Sequence, residues 1–300
     1  MLTGTFKSHD GKELALYTWD EVQNPKAVVK IAHGMAEHSA RYDDFAQYLN
    51  KQGYVVVMND HRGHGFTADE DSLGYDEGDI FFNNVLDQVA LIDYCKQKYN
   101  LPVVMMGHSS GSFVTQAVME KNPAATGYVL SGSDYMKGLA YTAAGVIANN
   151  MCKRKGGRYP AEMLAKLSFG GYEKKIPGKN NWLSRDEEQV KKYNEDPMCG
   201  FVCSANFYRT FMAGAKTLYK KENYSGIDVE KPILIVSGAN DPVGEYSKGV
   251  KKLDAFYKKI GVKDVTTILY PEARHEILNE TNKDEVYQDI ADWIQRVIEK

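Results

Sequence analysis

The chain has 300 residues, a formal net charge of −3, and 43% hydrophobic and 26% charged side chains. This is the composition of an ordinary soluble globular protein with enough chain for a large core, and its slightly negative balance argues against general nucleic-acid binding. The N-terminus, MLTGTFKSHDGK, lacks a basic segment followed by an apolar run, and apolar runs stop at about half a dozen residues, far short of a membrane span. A cytoplasmic protein is expected. Four cysteines, Cys95, Cys152, Cys199 and Cys203, are too few and too scattered for a disulfide scaffold. Cys199 and Cys203 read as small apolar fillers able to face each other on a helix.

In chain order, Thr3 to Ser8 and Glu13 to Trp19 read as a hairpin around His9-Asp10-Gly11-Lys12. Ala27 to Ala32 is a strand, Tyr42 to Lys51 a helix with Phe45, Tyr48 and Leu49 at helical spacing, and Tyr54 to Met58 a buried strand. An acidic loop from Asp69 to Asp79 precedes a helix from Ile80 to Tyr99. Pro102 to Met106 is a short buried strand, Ser112 to Lys121 a helix, and Gly127 to Ser131 the next strand. From Asp134 to Asn206 the alternation stops, and short helices and loops are expected. It resumes with a helix (Phe207 to Lys220), a strand (Pro232 to Val236), a helix (Glu245 to Ile260), a strand (Val265 to Leu269) and a last helix (Asp284 to Ile298). The pattern predicts an α/β fold: a mostly parallel eight-stranded sheet with helices on both faces. Residues 1–133 and 207–300 form the core, and 134–206 an inserted helical cap at the carboxyl edge of the sheet, where ligands bind in such folds.

Between the strand ending at Met106 and the helix after it lies Gly107-His108-Ser109-Ser110-Gly111, a G-x-S-x-G turn. Strand, tight turn and helix in that order make Ser109 the candidate nucleophile, with glycines where the turn leaves little room for side chains. A serine hydroxyl needs a base, and the base needs an orienting carboxylate. His275 lies beyond the cap, just after the last strand, and is the candidate base. Asp241, on the turn SGANDPVG after the preceding strand, is favoured as the acid over Asp134 in SGSDY. Backbone N–H groups of Ser110 and of Met35, in the loop His33-Gly34-Met35, are the expected oxyanion donors.

The segments HGMAEHSARYDDFAQYL, NDHRGHG, GHSSGS, SGANDPVG and ARHE, in this order, resemble the monoacylglycerol lipase and lysophospholipase branch of the α/β-hydrolases, often grouped with serine aminopeptidases. The resemblance covers nearly the whole chain. It implies Ser109, Asp241 and His275 as a triad, Met35 and Ser110 as oxyanion donors, and Gly34, Glu37, His38 and Arg41 as residues that hold the entrance loop and contact a polar head group. It implies a small-molecule acyl ester as substrate and no cofactor. One departure is visible: Phe66 and Thr67 stand where many relatives carry a small polar residue and serine. They lie off the triad and bear on local packing.

His33, His38, His61 and His64 occupy two loops at the same edge, but His61 and His64 sit in a glycine-broken loop rather than on a helix face. No metal site is expected there; loop-stabilising hydrogen bonds, including Asp60 with Arg62, are. The stretch Met151 to Lys175 is basic, with Lys153, Arg154, Lys155, Arg158, Lys166, Lys174 and Lys175 against Glu162 and Glu173. It reads as a solvated helical face or as a surface attracted to anionic lipid. Leu139 to Ile147 reads as cap core or as the wall of an acyl tunnel. Two rival functions stand beside the esterase. A peptidase would need a cap carboxylate for the substrate's amine, with Glu162, Glu173 and Asp186 as candidates. A non-catalytic binding protein on the same fold would leave the serine idle.

Overall fold

Strand β3 (Ala27–Ala32) is buried at every position, and so are β4 (Tyr54–Asn59), β5 (Val103–His108), β6 (Gly127–Ser131) and β7 (Ile233–Gly238). A strand covered on both faces reads as a continuous apolar run, which is how AVVKIA and YVVVMN appear in the sequence. The computed structural model describes residues 1–68 and 71–299; the acidic-loop residues Asp69 and Glu70, and Lys300, lie outside the described residues. With β1 (Leu2–Lys7), β2 (Glu13–Trp19) and β8 (Val265–Tyr270) the strands form one sheet in the order β1-β2-β4-β3-β5-β6-β7-β8. β1 and β2 are antiparallel, β2 runs antiparallel to β4, and every other pair is parallel.

Successive side chains on a strand face opposite ways, and the core divides accordingly. Val28, Met105, Leu130 and Ile235 pack on one face with Leu91 of α2 (Ile80–Tyr99), Phe113 of α3 (Ser110–Met119) and Leu253 of α9 (Lys248–Lys259). Val29, Ile31, Met106 and Val129 pack on the other with Leu49 of α1 (Asp43–Lys51) and Ile290 of α10 (Lys283–Ile298). On the first face, Lys30 of β3 interrupts the apolar row with its side chain fully buried. Its ammonium donates to the Ile31 carbonyl at 2.9 Å, to Asn59 Oδ1 at 3.1 Å and to Gln88 Oε1. Burial pushes its pKa down to about 7.

Between β6 and β7 the chain forms α4 (Leu139–Lys155), α5 (Glu162–Lys175), α6 (Glu187–Glu195), α7 (Ala205–Ala215) and α8 (Lys221–Tyr224). α4 and α5, at 17 and 14 residues, are long rather than short. They bury little of themselves, Ala148 in one and Leu164 in the other, so no apolar stripe betrays them in the sequence. Helix boundaries move as well. The helix expected from Glu245 starts at Lys248, because Glu245, Tyr246 and Ser247 are all left-handed, with φ of 51°, 54° and 72°. The helix expected from Phe207 starts at Ala205, where the Ser204 hydroxyl accepts the Phe207 N–H at 3.1 Å, and ends at Ala215.

Two local expectations are corrected. Cys199 and Cys203 sit in a loop rather than on a helix, and all four cysteines are free. Asp60 accepts from the Tyr17 hydroxyl at 2.9 Å and the N–H groups of Ser39 and Phe66 at 2.8 Å, rather than pairing with Arg62. Arg62 instead reaches back to Asp10 and to Asp87 of α2. Thr67, one of the two departures from the family pattern, is buried; its hydroxyl donates to the Asp60 carbonyl at 2.8 Å and accepts the Ala15 N–H at 2.9 Å. Phe66 beside it is 70% exposed. Among the described residues no helix is long and apolar enough to cross a membrane.

Candidate active site

β5 ends at His108 and α3 begins at Ser110, two residues earlier than the sequence pattern suggests. Ser109 alone makes the reversal, with φ 50° and ψ −120°. Such backbone costs about 1–3 kcal/mol in a non-glycine residue and persists only where the surroundings enforce it. They do so here: the Ser109 N–H donates to the Ser131 carbonyl at 2.9 Å, and the Ser112 hydroxyl donates to the Ser109 carbonyl at 2.6 Å. The flanking glycines answer to close approach. A Cβ on Gly107 would lie 2.3 Å from the Gly111 carbonyl oxygen, and one on Gly111 would lie 2.3 Å from that of Ala32. The turn therefore seats the start of α3 directly on the end of β3.

His275 follows β8 and is buried. Its Nδ1 is 2.9 Å from Asp241 Oδ2. Asp241, buried on the turn after β7, is held in turn: its Oδ1 accepts the Val243 N–H at 2.8 Å, and its Oδ2 accepts the Ser237 hydroxyl at 3.4 Å. With Nδ1 engaged, the imidazole has Nε2 free for proton transfer. The ring lies 4.8 Å from His108 and 5.2 Å from Trp182, centroid to centroid. Burial lowers the basicity of His275. The charge and hydrogen bond of Asp241, helped by Glu276 and Glu37, more than offset this, so its pKa rises above the ordinary histidine value. His108, beside it, is pushed down to about 4 by burial and by the His275 charge.

Asp134, the rival acid, is otherwise engaged. Its Oδ2 accepts the Tyr141 hydroxyl at 2.8 Å, and its Oδ1 lies over Gly249 at the start of α9, where a side chain would collide with it. Burial raises its pKa to about 6.

Ser109, Ser110, Met35 and His275 line one cavity of about 650 Å3, within the ordinary range for small-molecule sites. Ser110 opens α3, so its N–H has no partner inside the helix. Gly34 and Glu37 also line the cavity. His38 and Arg41 lie outside its lining: His38 Nε2 is 2.8 Å from Asp196 Oδ2, and Arg41 packs over the Tyr193 ring at 4.8 Å. Arg41 donates to Glu37 Oε2 and, through two nitrogens, to both oxygens of Glu276 at 2.8 and 2.7 Å. Glu37 Oε1 accepts the Gly34 N–H at 2.5 Å and the Tyr42 hydroxyl at 2.9 Å. Burial pushes both carboxyls up, and the Arg41 guanidinium outweighs it, leaving both below the ordinary glutamate value. Glu37 and Arg41 thus hold the entrance loop to the residue next to His275. The role of Glu276 was missed in the sequence; the only hint was its place in ARHE.

Much of the remaining wall is apolar, with Asp134, Ser168, Lys175 and Asn180 also lining it. Ala140, Ala144 and Ile147 of α4, Phe169 of α5 and Phe211 of α7 face the cavity, while Leu139 and Val146 of the same α4 run are 90% and 56% exposed. Glu162, Glu173 and Asp186 lie outside the lining: Asp186 accepts the N–H groups of Glu188 and Gln189 at the start of α6, and Glu173 accepts that of Asn180 at 3.3 Å.

A family model described as "Serine aminopeptidase, S33" matches residues 23–282. Monoglyceride lipase of Homo sapiens is 26% identical over 294 residues, spanning 96% of this chain and 88% of its own. Monoacylglycerol lipase of Mycolicibacterium smegmatis is 26% identical over 298 residues, spanning 97% and 95%. The solved structure of a highly thermostable carboxyl esterase from Bacillus coagulans, in complex with glycerol, is 27% identical and superposes with a TM-score of 0.89 over 99% of this chain and 98% of that one.

Proposed function

For a chain that belongs to the serine aminopeptidase S33 family of α/β-hydrolases, and is a serine hydrolase of esters, we propose cleavage of single-chain acyl esters, of monoacylglycerol or lysophospholipid type, through an acyl-enzyme on Ser109. The observation that carries the reading is the 2.9 Å contact between His275 and Asp241, on the cavity that Ser109 lines. His275 Nε2 takes the Ser109 proton as the hydroxyl attacks the ester carbonyl, and the oxyanion accepts from the N–H groups of Met35 and Ser110. The alcohol leaves with the proton from His275. Water then cleaves the acyl-enzyme by the same route.

Residues 134–206 act as the cap in this reading, and the wall of Ala140, Ala144, Ile147 and Phe169 takes the acyl chain. α4 and α5 carry the exposed apolar side chains Leu139, Val146, Met163 and Leu167, and the same two helices carry the basic residues Lys153, Arg154, Lys155 and Lys166. That combination supports peripheral contact between the cap and a lipid surface. We place the protein in the cytoplasm.

The test is hydrolysis of p-nitrophenyl esters from acetate to palmitate, with 1-monoacylglycerol and lysophosphatidylcholine alongside. Wild type is expected to cleave medium or long chains, and Ser109→Ala to lose on the order of 10⁶ in kcat. Cleavage of acetate alone would remove the lipid assignment and leave the triad. A fully active Ser109→Ala would remove both.

A further inference from the structure

His33 is fully buried at the end of β3, outside the triad and outside the lining of the cavity. Both its ring nitrogens are committed. The His61 N–H donates to Nε2 at 2.9 Å, so Nε2 carries no proton. The proton of the neutral ring is then on Nδ1, which donates to the Gly34 carbonyl at 2.7 Å. The rings of His61 and His64 flank it, with centroids at 4.3 and 5.4 Å, and burial lowers the pKa of all three.

The Gly34 carbonyl belongs to the same peptide unit as the Met35 N–H. In a planar trans peptide the two point in opposite directions, and the described chain has no cis bond. A bond that draws the carbonyl back toward His33 therefore turns the Met35 N–H the other way, and Met35 lines the cavity. Rotation of that unit turns ψ of Gly34 and φ of Met35, and at its own end glycine, lacking a Cβ, offers little resistance. Its own N–H is tied to Glu37 Oε1, which fixes the preceding peptide and leaves this one to His33. Were the unit to rotate by half a turn, a carbonyl oxygen would face the place where negative charge develops.

We propose that His33 is a positioning residue for oxyanion stabilisation, its Nδ1–H setting the peptide plane that carries the Met35 N–H. This rests on the reading of Ser109 as nucleophile and Met35 as donor.

Two substitutions separate the roles of the ring nitrogens. The amide of Asn reaches the Nδ1 position and can donate to Gly34; that of Gln reaches the Nε2 position and can accept from His61. His33→Gln is expected to lose about 10²-fold in kcat with KM nearly unchanged, the scale of one lost oxyanion donor. A trifluoromethyl ketone, which adds to the serine and places an oxyanion in the hole, should weaken in proportion. His33→Asn should recover at least tenfold of that loss. Folded variants in which Gln keeps wild-type kcat, or in which Asn and Gln fall together, overturn the proposal. One measurement needs no variant: ¹⁵N NMR of the wild type should find the His33 proton on Nδ1, and the opposite tautomer also overturns it. Ser109→Ala in the same assays keeps two failures apart. If it is active, the site reading falls. If it is dead while the His33 variants are indifferent, only His33 loses its role.

Discussion

Glu276 accepts two parallel hydrogen bonds from Arg41, a residue 235 positions away in the chain, and it stands directly after His275. The loop after β3 and the loop after β8 are therefore joined by one guanidinium, which also holds Glu37. Removing one partner of a buried ionic cluster leaves uncompensated charge, so Arg41→Ala should destabilise the fold by about 3–5 kcal/mol at neutral pH. Urea denaturation measures it. Without Arg41, burial leaves the two carboxyls above the ordinary glutamate value, so the deficit should already narrow as pH falls toward that value and shrink further below it, where both protonate.

The two aspartates that follow β6 and β7 should separate cleanly by activity. Asp241→Asn keeps the shape but presents the wrong proton to His275 Nδ1, and about 10⁴ in kcat should go. Asp134→Asn keeps an oxygen for the Tyr141 hydroxyl and should stay within about tenfold of wild type. Steady-state kinetics on a p-nitrophenyl ester decide the matter, and the reverse order of losses would hand the acid's role to Asp134.

The pH dependence follows from the imidazole. A general base works unprotonated, and Asp241 holds the His275 pKa above the ordinary value of 6.5. The acid limb of kcat/KM should therefore have its midpoint above pH 6.5, with activity rising to a plateau on the alkaline side. In Asp241→Asn the residual activity should show that limb moved to lower pH, because the carboxylate that favours the imidazolium is gone. A wild-type limb below pH 6 would contradict the buried contact.

Lys30 gives the fold its own pH signature. Its folded pKa of about 7 lies below the unfolded value of 10.5, so between those limits the unfolded chain binds the extra proton. Stability contributed by this group therefore rises with pH from about 7 and is flat below. From pH 7 to 9.5 wild type should gain on the order of 3 kcal/mol more than Lys30→Met does, read as the difference in denaturant midpoints at the two pH values. Equal gains would mean that the amine reaches water.

Some of this was legible in the residues and some was not, for physical reasons. Buried strands such as Val103–His108 announce themselves as apolar runs, and the glycines at 107 and 111 mark the turn because the backbone crowding there excludes a Cβ. His275 and Asp241 were reached by order along the chain, each in the loop after a strand. Contacts made far along the chain leave no local trace: neither the Arg41–Glu276 pair, 235 positions apart, nor the turn of Arg62 toward Asp10 and Asp87, 52 and 25 positions away, follows from spacing. Three consecutive left-handed residues before Lys248 likewise defeat a reading by helical period, since Glu, Tyr and Ser carry no signal for that conformation. The helices from Leu139 and Glu162 were indistinct because a helix over a cavity needs no continuous apolar stripe.

The place of the insertion has a kinetic consequence. Strand β6 is complete at Ser131, but its neighbour β7 begins only at Ile233, about a hundred residues later. At about 5–20 residues per second the ribosome needs roughly 5–20 s to supply that neighbour. For that interval β6 is an apolar strand with an open edge, which favours misassociation with other chains. His275 and Asp241 emerge later still, so the nascent chain carries its serine well before the groups paired at 2.9 Å exist. Yield during synthesis should respond to whatever shields that edge more than to the stability of the finished fold.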